Sequence, residues 1–189
     1  MLTIAEGRLD GPVRRRLADG TIRLLRCDWL LSDVSNMVLD RDPLTGSVLM
    51  RPRQRLPPQA FVDPEEAARL YATGRRAVLV TSHCWQTHVH PDPHGSTLAE
   101  LRVHLSTLAE PSVHGLFWDF ASLPQGMLDR HEARVMHRAM EVMIALYASI
   151  TGTCVLQVRH IPDRWAVRYA AELMLYHLPS YLLPEEDGS

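Results

Sequence analysis

A short apolar run, Ala77 to Val80, gives way at once to a cluster of polar and aromatic side chains, Thr81-Ser82-His83-Cys84-Trp85. Continuous apolar character over so few residues suits a strand buried on both faces, not one facing water on one side. The chain beyond it repeats the theme. Ser96 to Leu108 reads as a helix with Leu98, Leu101, Leu105 and Leu108 on one face, and His114 to Phe120 as a second strand with Asp119 near its end. Asp129 and Glu132 form a capping-box pair that opens a long helix, on which Met136, Met140, Met143 and Tyr147 make a stripe expected to pack in the core. Thr153 to Val158 is a third strand, and Asp163 can cap a last helix reaching about His177. Three strands alternating with three helices predict an α/β fold. Its sheet is mostly parallel, helices cover both faces, and the strands near 77–82, 114–119 and 153–158 are neighbours.

The part before Ala77 is less regular and reads as an extension, 1–76, that packs on a core of 77–178 and is not a domain of its own; 179–189 is a tail expected to fray. Met1 to Gly20 lacks periodicity, and the triplet Arg14-Arg15-Arg16 suits a solvated arm. Thr21 to Leu31 reads as a strand that turns helical near its end, and Ser47 to Met50 as a short strand. Arg51 to Pro58, with three prolines, is expected to be an extended connector. Asp63, Pro64 and Glu66 mark the start of a helix to Ala72, which Gly74 stops.

Composition narrows the chemistry. The 189 residues are 46% hydrophobic, enough for one real core, and a formal net charge of −2 gives no reason to expect nucleic acid or a membrane surface as partner. There is no lysine, so a P-loop lysine, a Schiff base or a Ser-Lys dyad is excluded. Cys27, Cys84 and Cys154 are widely spaced and odd in number, which argues against a disulfide framework or an all-cysteine zinc site. With no apolar leader behind a basic start and no run of membrane-spanning length, the chain is expected to be cytoplasmic.

In an open α/β sheet, ligand sites form where loops converge beyond the carboxyl ends of the strands. Ser82, His83 and Trp85 fall at the end of the first strand and Asp119 at the end of the second, so one crevice is expected to gather them. Each taken singly also suits a core residue covering a strand end. The pattern Ser82-His83-Cys84-Trp85, followed by Asp119 and, six residues on, Gln125, resembles the fungal heterokaryon-incompatibility domain, a distant relative of the Toll/interleukin-1 receptor (TIR) domain. The segment His90-Pro91-Asp92-Pro93-His94-Gly95, preceded by Arg53-Gln54-Arg55-Leu56-Pro57 and Ala60-Phe61, also resembles uncharacterised algal and protist proteins with the same two motifs.

The resemblance implies a TIR-like, flavodoxin-like fold serving in signalling or protein interaction, self-association included. It further implies a nucleotide site at Ser82, His83, Trp85, Asp119, Arg164 and Trp165, where an indole stacks on a base and Asp119 accepts hydrogen bonds from a ribose. The family's third element is an Arg-x-Trp before a helix with a glutamate four residues past the tryptophan, whereas Arg164 and Trp165 are adjacent in this chain. In catalytic TIR domains a helix glutamate takes part in cleaving NAD, which is then a substrate and not a bound cofactor. Here that position is Tyr169, and the nearest acid, Glu172, lies seven residues past Trp165, about 10 Å along a helix. The chain is therefore expected to be catalytically degenerate, with NAD cleavage through Glu172 as the alternative. A further alternative is a zinc-dependent hydrolase. His88, His90, Asp92 and His94 resemble the histidine and aspartate motif of metallo-β-lactamase-like enzymes, although Pro93 separates an Asp and a His that are adjacent there.

Overall fold

The structure is a computed structural model that describes residues 3–108, 114–149 and 152–158, with residues 3–10 described as backbone only. The expected helix at 163–177, the tail at 179–189, and with them Arg164, Trp165 and Glu172, lie outside the described residues.

The central sheet forms where the apolar runs are. Strand β4 (Val78–Ser82) lies between β5 (Gly115–Phe117) and β6 (Thr153–Gln157), parallel to both, and β1 (Leu25–Arg26) adds an antiparallel edge beside β5. The first of the three parallel strands in the chain is thus flanked by the second and the third. This is the mainly parallel sheet that the alternation predicts. Side chains of a strand alternate between faces, so each face needs its own cover. Val78 and Val80 enter one cluster with helices α1 (Thr3–Ala18), α4 (Pro64–Ala72) and α7 (Arg130–Ala148), through Leu17, Tyr71, Ala139 and Leu146. Leu79 enters the other, with α2 (Cys27–Leu31) and α5 (Ser96–Thr107), through Leu30, Leu98 and Leu101. Asp63 and Asp129 cap α4 and α7 as expected; for α7 both halves of the capping box are made, whereas the Glu66 carboxylate at α4 pairs with Arg69. No helix among the described residues is long and apolar enough to cross a membrane.

Several local expectations need correction. The stretch from Thr3 to Gly20 is not an arm: Thr3 to Ala18 is helical and seats Val13 and Leu17 against α4 and α7, while Arg16 bridges Asp19 and Glu141. Packing creates this helix despite Pro12 in its interior and a described apolar stripe only two residues long. Thr21 to Leu31 is strand only at Leu25–Arg26, because its backbone is shared out: Arg23 N–H bonds to Ser122 O, Leu24 O accepts from Val62 N–H, and α2 starts at Cys27. The proline-rich connector holds two 3₁₀ turns, Arg53–Arg55 and Pro58–Ala60, each following a proline whose φ of −62° or −70° leads into the turn. The second strand ends at Phe117, and Asp119 heads a short helix, α6 (Asp119–Ser122). On α7 the buried stripe is Val135, Ala139, Val142 and Leu146, one position away from the methionine stripe. Met136, Met143 and Tyr147 flank it, and Met140 is exposed.

Candidate functional site

The ends of β4 and β5 bring His83, Trp85 and Asp119 together, because Val80 and Phe117 are paired and both chains leave the sheet within a few residues. The His83 side chain is almost wholly buried, at 3% exposed. Its Nε2 lies 3.1 Å from Nε1 of Trp118, with the two rings edge to face at 5.5 Å. An indole nitrogen only donates, so Nε2 of His83 is the acceptor and the neutral ring carries its proton on Nδ1. Burial pushes the His83 pKa down, against the opposing pull of Asp119 and Asp92. A buried ring with no carboxylate in direct contact prefers to be neutral.

Asp119 is close without being a partner to His83. Its Oδ1 accepts the Phe120 backbone N–H at 2.7 Å and stands 3.9 Å from His83 Nε2; its Oδ2 accepts from Trp85 Nε1 at 3.3 Å. Trp85 is held edge-on to Phe120 at 5.9 Å, and His90 packs on the same ring at 4.7 Å. Gln125, six residues past Asp119, donates through Nε2 to the carbonyls of Asp119 and Leu123 and trades backbone bonds with the side chain of Gln54. The Asp-to-Gln spacing therefore has a local use: the amide folds back over α6 and satisfies carbonyls at its two ends. Beneath this, Tyr147 donates its hydroxyl to Thr81 O at 3.0 Å, and burial, with Asp119 nearby, pushes its pKa up to about 12.

The histidine loop divides its ligand-type groups among separate duties. His90 Nδ1 accepts the Asp92 N–H at 3.0 Å, so Nε2 carries the proton and donates to Met50 O at 2.9 Å. Asp92 is fully buried. It accepts from Leu98 N–H at 2.9 Å, Ser96 Oγ at 3.2 Å and Gln86 Nε2 at 3.5 Å, which makes it the anchor for the first turn of α5. Gly95 has φ +74°, and a Cβ there would stand 2.4 Å from Val48 O, so the loop can pass β3 (Val48–Leu49) only with glycine at this position. His94 turns outward to Asp42. Backbone N–H of Leu44 and the Thr45 hydroxyl, joined by His94, hold the Asp42 carboxyl below its usual value. Among the described residues no three histidine, cysteine, aspartate or glutamate side chains converge as a metal set. His88, His90, Asp92 and His94, the residues of the zinc alternative, are not gathered into such a set.

Of the expected site residues, then, His83, Trp85 and Asp119 meet, Ser82 closes β4 with its carbonyl accepting the Val158 N–H, and Arg164, Trp165 and Glu172 lie outside the described residues. Reading the sequence missed Trp118, Phe120, Tyr147 and Gln54. Trp118 and Phe120 sit within the run His114 to Phe120, where strand alternation makes both look like core. Tyr147 and Gln54 lie on elements remote in the chain, and no spacing signals their arrival. The arrangement supplies one neutral imidazole and a carboxylate whose two oxygens each already accept an N–H. It can tie two strand ends together and stack aromatic rings. Comparison of the chain with protein-family models, curated proteins and solved structures finds no match.

Proposed function

We propose that the chain is a TIR-like, heterokaryon-incompatibility-like α/β module that works through protein contacts, with its own copies or other proteins, and does not turn over NAD. The observation that carries this reading is the state of Asp119: the carboxylate that would receive a ribose already takes the Trp85 indole N–H and the Phe120 amide. The indole that would stack on a base lies edge-on to Phe120, and His83 is closed in against Trp118. A ligand that took over the Asp119 oxygen now bonded to Trp85 would leave the indole N–H without its acceptor, at a cost of about 1–3 kcal/mol for a buried group left unpaired. The strand order, with the first parallel strand between the second and third, is also the order in which flavodoxin-like sheets begin.

Incubation of the purified chain with NAD, and measurement of free nicotinamide, tests the reading. No release above the rate in buffer is expected. Sustained release that Glu172→Ala abolishes would overturn it in favour of an NAD-cleaving enzyme. Light scattering across a concentration series supplies the positive side, with a rise in mean mass expected where copies associate.

A further inference from the structure

Arg102 brings a charge into a concavity that holds no opposite charge. Helix α5 packs on α2, which α3 (Asp33–Val38) follows, and a space of about 280 Å³ among them is lined by Leu30, Leu31, Asn36, Arg102, Val103 and Ser106. A guanidinium has five N–H groups to place. Those of Arg102 reach Asn36 Oδ1 and Ser35 Oγ, each at 2.7 Å, and its Nε is buried without an acceptor. Both acceptors are neutral, and none of the ion pairs among the described residues includes Arg102. The charge that the surroundings do add is of the same sign: burial, and then Arg41, push the Arg102 pKa down. Arginine keeps its proton in such a place, and a half-buried charge without a counter-ion is costly.

The walls narrow what can answer that charge. Leu30, Leu31 and Val103 are apolar, and Leu31 and Val103 are 45% and 64% exposed; Met37, next to Asn36 in the chain, is 83% exposed. A bare anion would satisfy the guanidinium and leave these side chains in water. A carboxylate carried beside an apolar group satisfies both. Size separates a small molecule from a protein: sites that enclose a whole small ligand hold about 300–1,000 Å³, and this one holds less, room for an anchoring side chain or two. Arginine and methionine are also the residues that protein interfaces favour, and a guanidinium meets a carboxylate through strong, charge-assisted bonds. The larger concavity along α7, about 400 Å³, is lined by Met143, Ile144, Tyr147 and Ala148 and offers no charge to select a partner.

We propose that the face formed by α2, α3 and α5 docks a protein segment in which a glutamate or aspartate stands beside leucine-like side chains. The carboxylate meets Arg102, and the apolar side chains cover Leu31 and Val103. This rests on the interaction reading and adds to it the partner's chemistry and the place where it sits.

Amide NMR of the isotope-labelled full chain, titrated with the end-blocked peptide Ser-Leu-Glu-Glu-Leu-Ser, tests it. Saturable shifts are expected at amides of α2, α3 and α5. The peptide with glutamine in place of both glutamates is expected to bind about tenfold more weakly, and so is the acidic peptide to Arg102→Gln. Val103→Asp, at an exposed position, is expected to weaken the acidic peptide as much by setting a like charge against it. It guards against Arg102→Gln failing to fold, which the dispersion of the amide spectrum identifies. Equal affinity for the acidic and the glutamine peptide would overturn the proposal, and so would an absence of saturable shifts. Butyrate that reproduces the shifts at the same concentration would overturn it in favour of a small anion. The same shifts on concentrating the chain alone would overturn it in favour of a second copy. Shifts confined to another face would overturn the docking site and leave the interaction reading standing, whereas that reading falls on nicotinamide release, a separate measurement.

Discussion

The carboxyl ends of β4 and β5 and the outer side of α7 and β6 are built on opposite principles. At the strand ends, polar side chains that look available in the sequence are paired with one another: Trp118 with His83, Trp85 with Asp119, Gln125 with the carbonyls of α6. Along α7 and β6, side chains that look like core, Met140, Ile144 and Val155, face outward. A cluster of polar residues at a strand end therefore need not mark a ligand site: here His83 Nε2 and both oxygens of Asp119 already accept an N–H from within the chain. Unmatched apolar surface carries the opposite message. Nothing among the described residues covers it.

The largest test of this contrast is Trp118→Ala. Trp118 is fully buried and is also the donor that His83 needs, so its loss leaves both a cavity and an orphan acceptor. A destabilisation of about 3–5 kcal/mol is expected in urea unfolding. A change below about 1 kcal/mol would mean that the clasp contributes no stability. Next comes Asp92→Ala, which strips three hydrogen bonds from a buried carboxylate at the start of α5. About 2–3 kcal/mol is expected, with faster amide exchange in the first turn of that helix. On the other region, Val142→Ala on the buried stripe of α7 should cost about 2 kcal/mol and Met140→Ala two residues earlier less than about 1 kcal/mol. Equal costs would erase the distinction between the two sides of this helix. Trp85→Phe is milder still: it keeps an aromatic ring against Phe120 but removes the N–H to Asp119, for about 1 kcal/mol.

How far the sequence could be read obeys the same division. The three parallel strands, α4, α5 and α7 were legible because buried runs, apolar periodicity and capping pairs at Asp63 and Asp129 are local signals. Helix α1 was not, since Arg14 to Arg16 dilute its stripe and its burial depends on α4 and α7, which lie far along the chain. The meeting of His83, Trp85 and Asp119 was legible from topology, because parallel neighbours must end side by side. What the residues do there was not. Their roles depend on a donor from Trp118, a ring from Phe120, and on Asp92 and His90 serving the loop's own bonds instead of a metal. Those are tertiary facts. The methionine stripe failed by one position, about a hundred degrees of helix, which is enough to move Met140 from core to surface.

The smallest expected effect concerns protons. His83 has its pKa lowered by burial, with Asp119 and Asp92 pulling the other way. In the unfolded chain an imidazole titrates near about 6.5. As pH falls through that value the unfolded chain gains a proton that the folded one does not, so stability rises with pH in this window. The contribution is complete above the unfolded value and is lost as pH falls through the lowered folded one. The structural cost is specific: a proton on Nε2 would point at the Trp118 N–H, with only Asp119 Oδ1, 3.9 Å away, to compensate. His83→Gln offers a neutral carbonyl to the same indole at every pH. Urea unfolding of both proteins between about pH 5 and pH 7.5 should show a steeper loss of stability on acidification for the natural sequence. The remaining nine histidines are common to both proteins and cancel in the difference. Parallel curves would show that His83 takes up its proton equally well folded and unfolded, and that the Trp118 bond does not hold the ring neutral.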